Sequence, residues 1–294
     1  MKTAEVAARL GEFFRLDAYP ADDFAEIGQF CREADIPLER YATPQFIQRH
    51  NGLMLDNADQ VEQVYTLVFP SDEVLEEVRR RAQGRPVLVF THHPMDFETS
   101  GRGLIPISET ALRRLRDARI SLYSAHAPLD CHEAVSTSRS LARAAGVQVD
   151  NVCAGYHGGW AGVIGTINET ILKALVERLR AVLNVDRVDV HSYAPTVKRI
   201  AVVAGGAAFP PMIQEAIDGG CDAYLTGDFR VRHGGPWAEK HRPEFDAFVE
   251  QAKINLIGAS HYATEAEVLR NEMLGWFDSF GLPAEFVSQK DPWR

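Results

Sequence analysis

The sequence predicts an α/β protein made of two similar lobes. Short runs rich in β-forming residues alternate with amphipathic helical segments along most of the chain, and this alternation is typical of βαβ units around a largely parallel sheet. One run, PVLVF at residues 86–90, is apolar throughout, as expected for a strand that is covered on both faces. The layout of the first half also recurs in the second half, which indicates a repeated unit.

Periodicity and capping signals define the predicted elements. Residues 1 to about 50 are predicted to be helical, because AEVAARLGEFF and FAEIGQFCREA carry apolar residues at helical spacing. Strands are predicted at 64–69, 86–90, 120–125, 199–204, 222–226 and 254–259. Helices are predicted at 71–82 (with Ser71 as N-cap), 108–118, 133–145, 168–183 and 210–219. Glycine-rich GYHGGWAGVIG at 155–165 is interpreted as a junction or a close-approach loop.

These elements divide the chain into three segments. Residues 1–150 are predicted to form an N-terminal α/β lobe with an extended helical N-terminus. Residues 151–198 supply a connecting glycine-rich loop and a helix, and residues 199–294 form a C-terminal α/β lobe.

Composition excludes several classes of function. The net charge of −10 over 294 residues argues against a nucleic-acid backbone as the main partner. The N-terminus lacks the apolar core of a secretory signal, and no stretch approaches the length of a membrane span. The four cysteines form no CxxC pair, so we expect buried thiols in a reducing cytoplasm rather than a zinc ribbon.

The repeat is most evident in the spacing of polar residues that follow the predicted strands. The interval from Thr91 to His126 is 35 positions, and the interval from Thr226 to His261 is also 35. Both third strands then end in His-x-x-x-carboxylate, which reaches Asp130 in the first half and Glu265 in the second. We interpret this as two copies of one unit related by a pseudo-two-fold axis, with chance similarity of generic βαβ units as the alternative.

The polar clusters follow strand ends, where open α/β sheets bind their ligands. Imidazoles and carboxylates are the ligands expected for zinc, iron, manganese or nickel. In His126-x3-Asp130 and His261-x3-Glu265, a helical turn would bring both side chains to one side. A carboxylate has two oxygens and can bridge two ions. The sequence therefore predicts two divalent ions in one site between the two lobes.

The adjacent pair His92-His93 poses a geometric problem, because neighbouring side chains on a strand point to opposite faces. Both can serve one site only if the strand has ended, and Pro94 favours such an end. Taken singly, each of these residues has an ordinary structural explanation, such as Asp130 as a helix N-cap. Asp228 and His233 are further candidates for residues that line the pocket.

Four motifs together resemble one known family. FTHHPMDF, LYSAHAPLDCH, DAYLTGDFRVRH and INLIGASHYATE are similar to the Nif-three-like dinuclear metal proteins, often called GTP cyclohydrolase I type 2 homologues. The resemblance runs from about residue 50 to the C-terminus. It implies a two-lobed α/β fold with a two-metal centre, and it places the metal ligands at His92, His93, Asp130, His261 and Glu265. It leaves His126 as a further ligand or a proton carrier, and it implies a homohexameric ring.

The chain also departs from the family pattern. The opening is longer than usual, RHNGLMLD replaces a WDN-type segment, and the 155–165 stretch differs from the shorter GxGRxG turn. Because such loops border the cavity, the substrate is not specified by the sequence.

The leading functional hypothesis is a metal-dependent hydrolase that acts on a small molecule, with His126 or His233 moving protons. The alternative is a non-catalytic metal-binding ring that works as a scaffold or handles metal. A third hypothesis, an unrelated binuclear phosphoesterase, would require a different ligand order along the chain.

Overall fold

The computed structural model describes residues 1–19, 27–97, 103–232 and 234–292. Its strands are β1 Gly52–Leu55, β2 Gln63–Leu67, β3 Val87–Thr91, β4 Asp96–Phe97, β5 Leu104–Ile105, β6 Ile120–Ser124, β7 Gln148–Tyr156, β8 Gly159–Ile171, β9 Asp189–His191, β10 Thr196–Val203, β11 Ala223–Thr226, β12 Asn255–Gly258 and β13 Ala284–Phe286. Its α-helices are α1 Thr3–Phe13, α2 Ile27–Glu33, α3 Pro44–Arg49, α4 Asp72–Ala82, α5 Glu109–Asp117, α6 Ala127–Asp130, α7 Thr137–Ala144, α8 Leu172–Leu183, α9 Pro210–Asp218, α10 Pro236–Gln251, α11 His261–Arg270 and α12 Glu272–Asp278. The α/β class predicted from the sequence is confirmed.

The first of two compact units comprises Met1–Phe97, Leu104–Leu129 and Leu269–Lys290. Its sheet has the order β1-β6-β3-β2-β13, in which β1 is antiparallel and the other pairs are parallel. On one face, Val89 and Leu122 pack in a core with residues of α4 and α5. On the other face, the Phe90 ring lies 5.9 Å from Phe14 and 5.7 Å from Phe277. Helices therefore cover both faces, which explains the apolar strand β3.

The second unit consists chiefly of Asp130–Val268. Its sheet has the order β7-β8-β10-β11-β12-β9, with β10, β11 and β12 parallel and the remaining pairs antiparallel. One face packs Val202 and Leu225 against α7 and α8, and the other packs Tyr224 and Leu256 against α9 and α10.

Both units contain the same three-strand arrangement. In each, three parallel strands are adjacent in chain order (β2-β3-β6 and β10-β11-β12), and an antiparallel strand lies beside the third. The backbone N–H of Ala125 donates to the carbonyl of Thr91 at 3.1 Å, and that of Ala259 donates to Thr226 at 2.9 Å. The matching topology agrees with the repeat inferred from the sequence, and the pseudo-two-fold axis stays a prediction.

Two predicted features are corrected by the structure. The stretch 155–165 is not a loop, because it ends β7, turns, and continues in the long strand β8. The helix predicted at 168–183 begins only at Leu172, since residues up to Ile171 pair with β10. The bounds of the compact units also differ from the three predicted segments: residues 269–290 belong to the first unit, because β13 pairs with β2.

The cysteines are buried and unpaired with one another, as expected from their spacing. The Cys131 thiol donates to the carbonyl of Tyr156 at 3.2 Å, which agrees with a packing role. Among the described helices, none is both long and apolar enough to cross a membrane.

Burial of the thiols predicts a loss of stability at alkaline pH. Desolvation raises the pKa of Cys31 and Cys221 from 9.0 to about 11, and that of Cys153 to about 12. Above pH 9 the unfolded chain therefore releases protons that the folded chain still holds, so the free energy of unfolding should fall as pH rises from 9 toward 12. Urea unfolding at about pH 8 and about pH 10 measures this. An equal slope in the Cys153→Ala variant would contradict the assignment to that thiol.

Candidate metal centre

Two strand ends of the first unit bring three histidines together. His92 and His93 follow β3, and His126 follows β6. Their ring centroids lie 4.5 Å (His92–His93), 4.8 Å (His92–His126) and 4.8 Å (His93–His126) apart. One nitrogen of each ring lies within 4.8 Å of those of the other two, so these residues, called here the histidine triad, can hold a metal ion. His126 therefore lies with the other two imidazoles.

The end of β3 explains how adjacent histidines share one site. The last ladder residue is Thr91, whose hydroxyl lies 2.9 Å from the carbonyl oxygens of both Val68 and His93. Beyond Thr91 the chain bends, and the backbone N–H groups of His92 and His93 donate to the carbonyls of Leu67 and Val68. The two rings no longer alternate across a strand. The strand end that the sequence required is confirmed.

A backbone carbonyl defines the tautomer of His92. This residue is fully buried, and its Nδ1 lies 3.0 Å from the carbonyl oxygen of Ala125. Because a carbonyl oxygen can only accept, Nδ1 carries the proton when the ring is neutral, and Nε2 keeps its lone pair. This arrangement is the one usually found behind a metal-binding imidazole.

The neighbouring side chains fix the rest of the triad. The ring of His93 stacks on Phe69, with centroids 4.4 Å apart. The half-buried His126 is held through its backbone, whose N–H donates to Oδ1 of Asn51 at 2.7 Å. The Ser124 hydroxyl donates to the carbonyl of His92 at 3.1 Å.

A histidine and a glutamate lie together at the start of α11 in the second unit. His261 and Glu265 are one helical turn apart, and both are buried. Nε2 of His261 lies 2.9 Å from Oε1 of Glu265, so the two residues, called here the His–Glu pair, present donor atoms at one point. The spacing of four predicted this side-by-side arrangement, and the prediction is confirmed.

Glycines allow the backbone to approach the His–Glu pair closely. Gly205 has φ +80°, and a Cβ there would overlap the carboxylate of Glu265. A Cβ on Gly227 would lie 2.6 Å from both the carbonyl oxygen of Gly205 and the Cα of His261. The N–H of Gly227 and the Thr226 hydroxyl both donate to the Gly205 carbonyl at 3.0 Å. The loop after β10 is thereby fixed against the N-terminus of α11.

Ser260 joins β12 to α11 in an unusual conformation. Its φ of 101° is rare for a residue with a side chain. The N–H donates to the carbonyl of Gly227 at 2.9 Å, and the hydroxyl oxygen accepts from the N–H of Ala263 at 3.2 Å. The hydroxyl also bonds to the carboxylate of Asp291. These contacts hold the strained residue and set the direction in which His261 leaves the strand.

Asp130 ends α6 and is half-buried. Its Oδ1 accepts from the hydroxyl of Thr137 at 2.6 Å, which orients the carboxylate. Among the described residues, the clusters of His and Glu side chains that could hold a metal ion do not include Asp130. Its role as a metal ligand therefore stays a prediction.

Asp228 and His233 were also predicted as residues that line the pocket. Asp228 is buried, and its carboxylate accepts from the guanidinium of Arg232, which also pairs with Asp189. Asp228 thus lies in an ion-pair network with Arg232. His233 lies outside the described residues.

Several residues that shape the site were not identified from the sequence. Asn51 and Thr137 give no signal of their own, because a single amide or hydroxyl has many ordinary uses. The pair Gly205-Gly206 had a usable signal, since two glycines directly after a strand mark a close backbone approach.

Comparison with known proteins agrees with this architecture. The profile of the Duf34/NIF3 (NGG1p interacting factor 3) family matches residues 37–274. A Deinococcus radiodurans protein named "GTP cyclohydrolase 1 type 2 homolog" is 26% identical over 288 residues, which cover 97% of this chain and 92% of that protein. A Pyrococcus horikoshii protein of the same name is 27% identical over 295 residues, which cover 98% of each chain.

Solved structures show the same fold. The structure titled "protein ybgI, unknown function" matches with a TM-score of 0.73 at 21% identity, covering 99% of this chain and 100% of that chain. Reduced HcgD from Methanocaldococcus jannaschii matches with a TM-score of 0.67 at 20% identity, covering 98% of each chain. The family profile covers most of the chain, residues 37–274 of 294. The chain therefore belongs to the DUF34/NIF3 family.

Proposed function

We propose that this chain binds two divalent metal ions in one centre and uses them for hydrolysis of a small molecule. The proposed ligands are His92, His93, Asp130, His261 and Glu265, and we assign His126 as a further ligand or a proton carrier. The observation that carries this proposal is the histidine triad, whose buried His92 has its proton fixed on Nδ1 by the Ala125 carbonyl.

The chemistry of the donor set supports a metal ion. Three imidazoles in the triad and an imidazole with a carboxylate in the His–Glu pair are nitrogen and oxygen ligands of the kind that zinc, iron, manganese and nickel accept. Burial keeps competing water away from most of these groups. The Thr137 hydroxyl on Asp130 and the carbonyl on His92 are the supporting hydrogen bonds that such ligands usually have.

Two cations held by these residues would supply Lewis acidity, which would lower the pKa of a water molecule at the site. The imidazole of His126 can carry a proton to or from a reacting group near neutral pH. Its half-exposed position, compared with buried His92 and His93, favours this role over a purely structural one. The names of the curated relatives favour GTP as the first substrate to test.

Removal of one ligand should cost the centre at least one of its two ions. We expect protein purified without chelator to contain about two ions per chain. The His261→Ala variant should retain at most one, because Glu265 then lacks the neighbouring imidazole that is proposed to bind the same ion. Elemental analysis measures the metal, and turnover of GTP and of a panel of phosphoesters and cyclic amides measures activity. The control is His241→Ala on α10, which should keep both metal and turnover.

The outcomes separate the two functions considered. Metal without any turnover would overturn the hydrolase and favour a scaffold or metal-handling role. Unchanged metal content in His261→Ala would overturn the centre itself. We also propose a homohexamer, which light scattering of the purified protein tests directly.

A further inference from the structure

The first unit contains a cavity of about 940 Å³, bounded by residues of α1, α3, β1 and β6. Small-molecule sites usually enclose roughly 300–1,000 Å³, so the cavity is large enough for a ligand. No residue of the histidine triad lines it.

One wall of the cavity is unusually smooth. Helix α1 lines the cavity with Ala4, Ala7, Ala8 and Gly11, whose side chains are no larger than a methyl group, and with Glu12 near its C-terminal end. Among the described residues, a Cβ on Gly11 would have one neighbour within 4 Å, the Leu16 side chain at 3.9 Å. Within the described part of the chain, a flat ring can therefore lie against these small side chains.

A buried tyrosine also lines the cavity. Tyr123 is only 1% exposed and lines the cavity, yet its hydroxyl has no hydrogen-bond partner in the described part of the chain. Buried polar groups are rarely left in this state, because the loss of water is then uncompensated. Burial raises the pKa of Tyr123, so the group stays a neutral donor. A ligand that offers an acceptor would satisfy it.

The charges around the cavity do not favour an anion. Arg49 is already engaged, because its guanidinium pairs with Asp17 at 2.8 Å and donates to the carbonyl of Leu16 at 3.0 Å. The lining side chains carry two cations against three carboxylates, namely Arg15 and Arg49 against Glu12, Asp17 and Asp56. The neutral amides of Gln45 and Gln48 add donors and acceptors without charge.

We propose that this cavity binds a neutral planar heterocycle or aromatic amide whose carbonyl oxygen accepts a hydrogen bond from the Tyr123 hydroxyl. The smooth α1 wall takes the face of the ring, and the amides take its polar edge. The site does not need the metal centre. It is nevertheless adjacent to it, since Asn51 lines the cavity and also accepts the backbone N–H of His126.

The test measures binding of nicotinamide and of 2-pyridone to the full chain by ligand-observed NMR, with toluene as the probe that lacks an acceptor. We expect both carbonyl-bearing probes to bind, and Tyr123→Phe to weaken them about tenfold or more. Gly11→Leu should abolish binding, because the leucine side chain would occupy the cavity beside α1. Tyr65→Phe is the matched control, since Tyr65 packs in the core on the other face of the sheet.

Three results would overturn the proposal: equal affinity of the wild type and Tyr123→Phe, toluene binding as tightly as nicotinamide, or no binding of either carbonyl-bearing probe at millimolar concentration. Thermal unfolding of each variant shows whether it is folded. Because binding is read without metal or turnover, a failure of the hydrolase proposal leaves this test unaffected.

Discussion

Replacing Gly227 with alanine should lower the free energy of unfolding by about 3 kcal/mol. The new methyl would lie 2.6 Å from the carbonyl oxygen of Gly205 and from the Cα of His261, and 2.7 Å from the His261 nitrogen. All three are backbone atoms, so no side-chain rotation relieves the overlap. The loop after β10 and the start of α11 must separate, which moves the His–Glu pair. Urea unfolding measures the stability, and elemental analysis measures the loss of metal that the proposed centre predicts for this variant.

Gly275→Ala is the control for this substitution. Gly275 lies inside α12, and a Cβ there would meet no atom of the described residues within 4 Å. Alanine should therefore stabilise the helix by about 0.5–1 kcal/mol. If Gly227→Ala were as stable as the wild type, the close approach of Gly205, Gly227 and His261 described above would be incorrect.

Replacing Asn255 with leucine should cost about 2–4 kcal/mol. This fully buried amide begins β12, the strand that leads to Ser260 and His261. Its Oδ1 accepts from the N–H groups of Tyr193 and Ala194 at 2.8 and 3.0 Å, and its Nδ2 donates to the carbonyl of Asp222 at 3.0 Å. Leucine has a similar size but can make none of these three hydrogen bonds.

The control is Asn151→Leu on β7, whose exposed side chain accepts a hydrogen bond from the adjacent N–H of Val152. That change should alter the free energy of unfolding by less than about 0.5 kcal/mol. Equal costs at the two positions would show that the buried amide of Asn255 is not what holds the start of β12.

Six of the parallel strands were predictable because local composition determines them. The runs that became β2, β3, β6, β10, β11 and β12 are rich in β-branched and aromatic residues, and the helices α4 and α5 that separate the first three have serine N-caps. The side chain of Ser71 accepts from the N–H of Val74 at 3.2 Å, as its position before an acidic first turn predicted.

The hairpin of β7 and β8 was not predictable by the same reasoning. Its glycines suggested a loop, but Gly162 and Gly165 lie within β8, where a Cβ would overlap neighbouring strands and side chains. In a strand, such glycines mark places where another backbone or side chain comes close. The interpretation as a close approach was correct, and its assignment to a loop was wrong.

Long-range pairing also limited the sequence analysis. Strand β13 pairs with β2 across more than two hundred positions, as Ala284 with Val64. No local pattern encodes such a partner. The candidate metal ligands were predicted better than the residues that orient them. Imidazoles and carboxylates have few common uses at strand ends, whereas Asn51 and Thr137 each act through a single hydrogen bond of a kind that many residues make.

The central proposal is that the histidine triad and the His–Glu pair bind metal as one centre. The most direct measurement is a zinc titration of the wild type, His92→Ala, His261→Ala and the double variant, with affinities read by calorimetry. One shared centre predicts that each single variant weakens all zinc binding, and that the double variant loses little more than either single one. If each single variant lost one ion and kept the other at wild-type affinity, with additive effects in the double variant, the two sets of ligands would be separate sites.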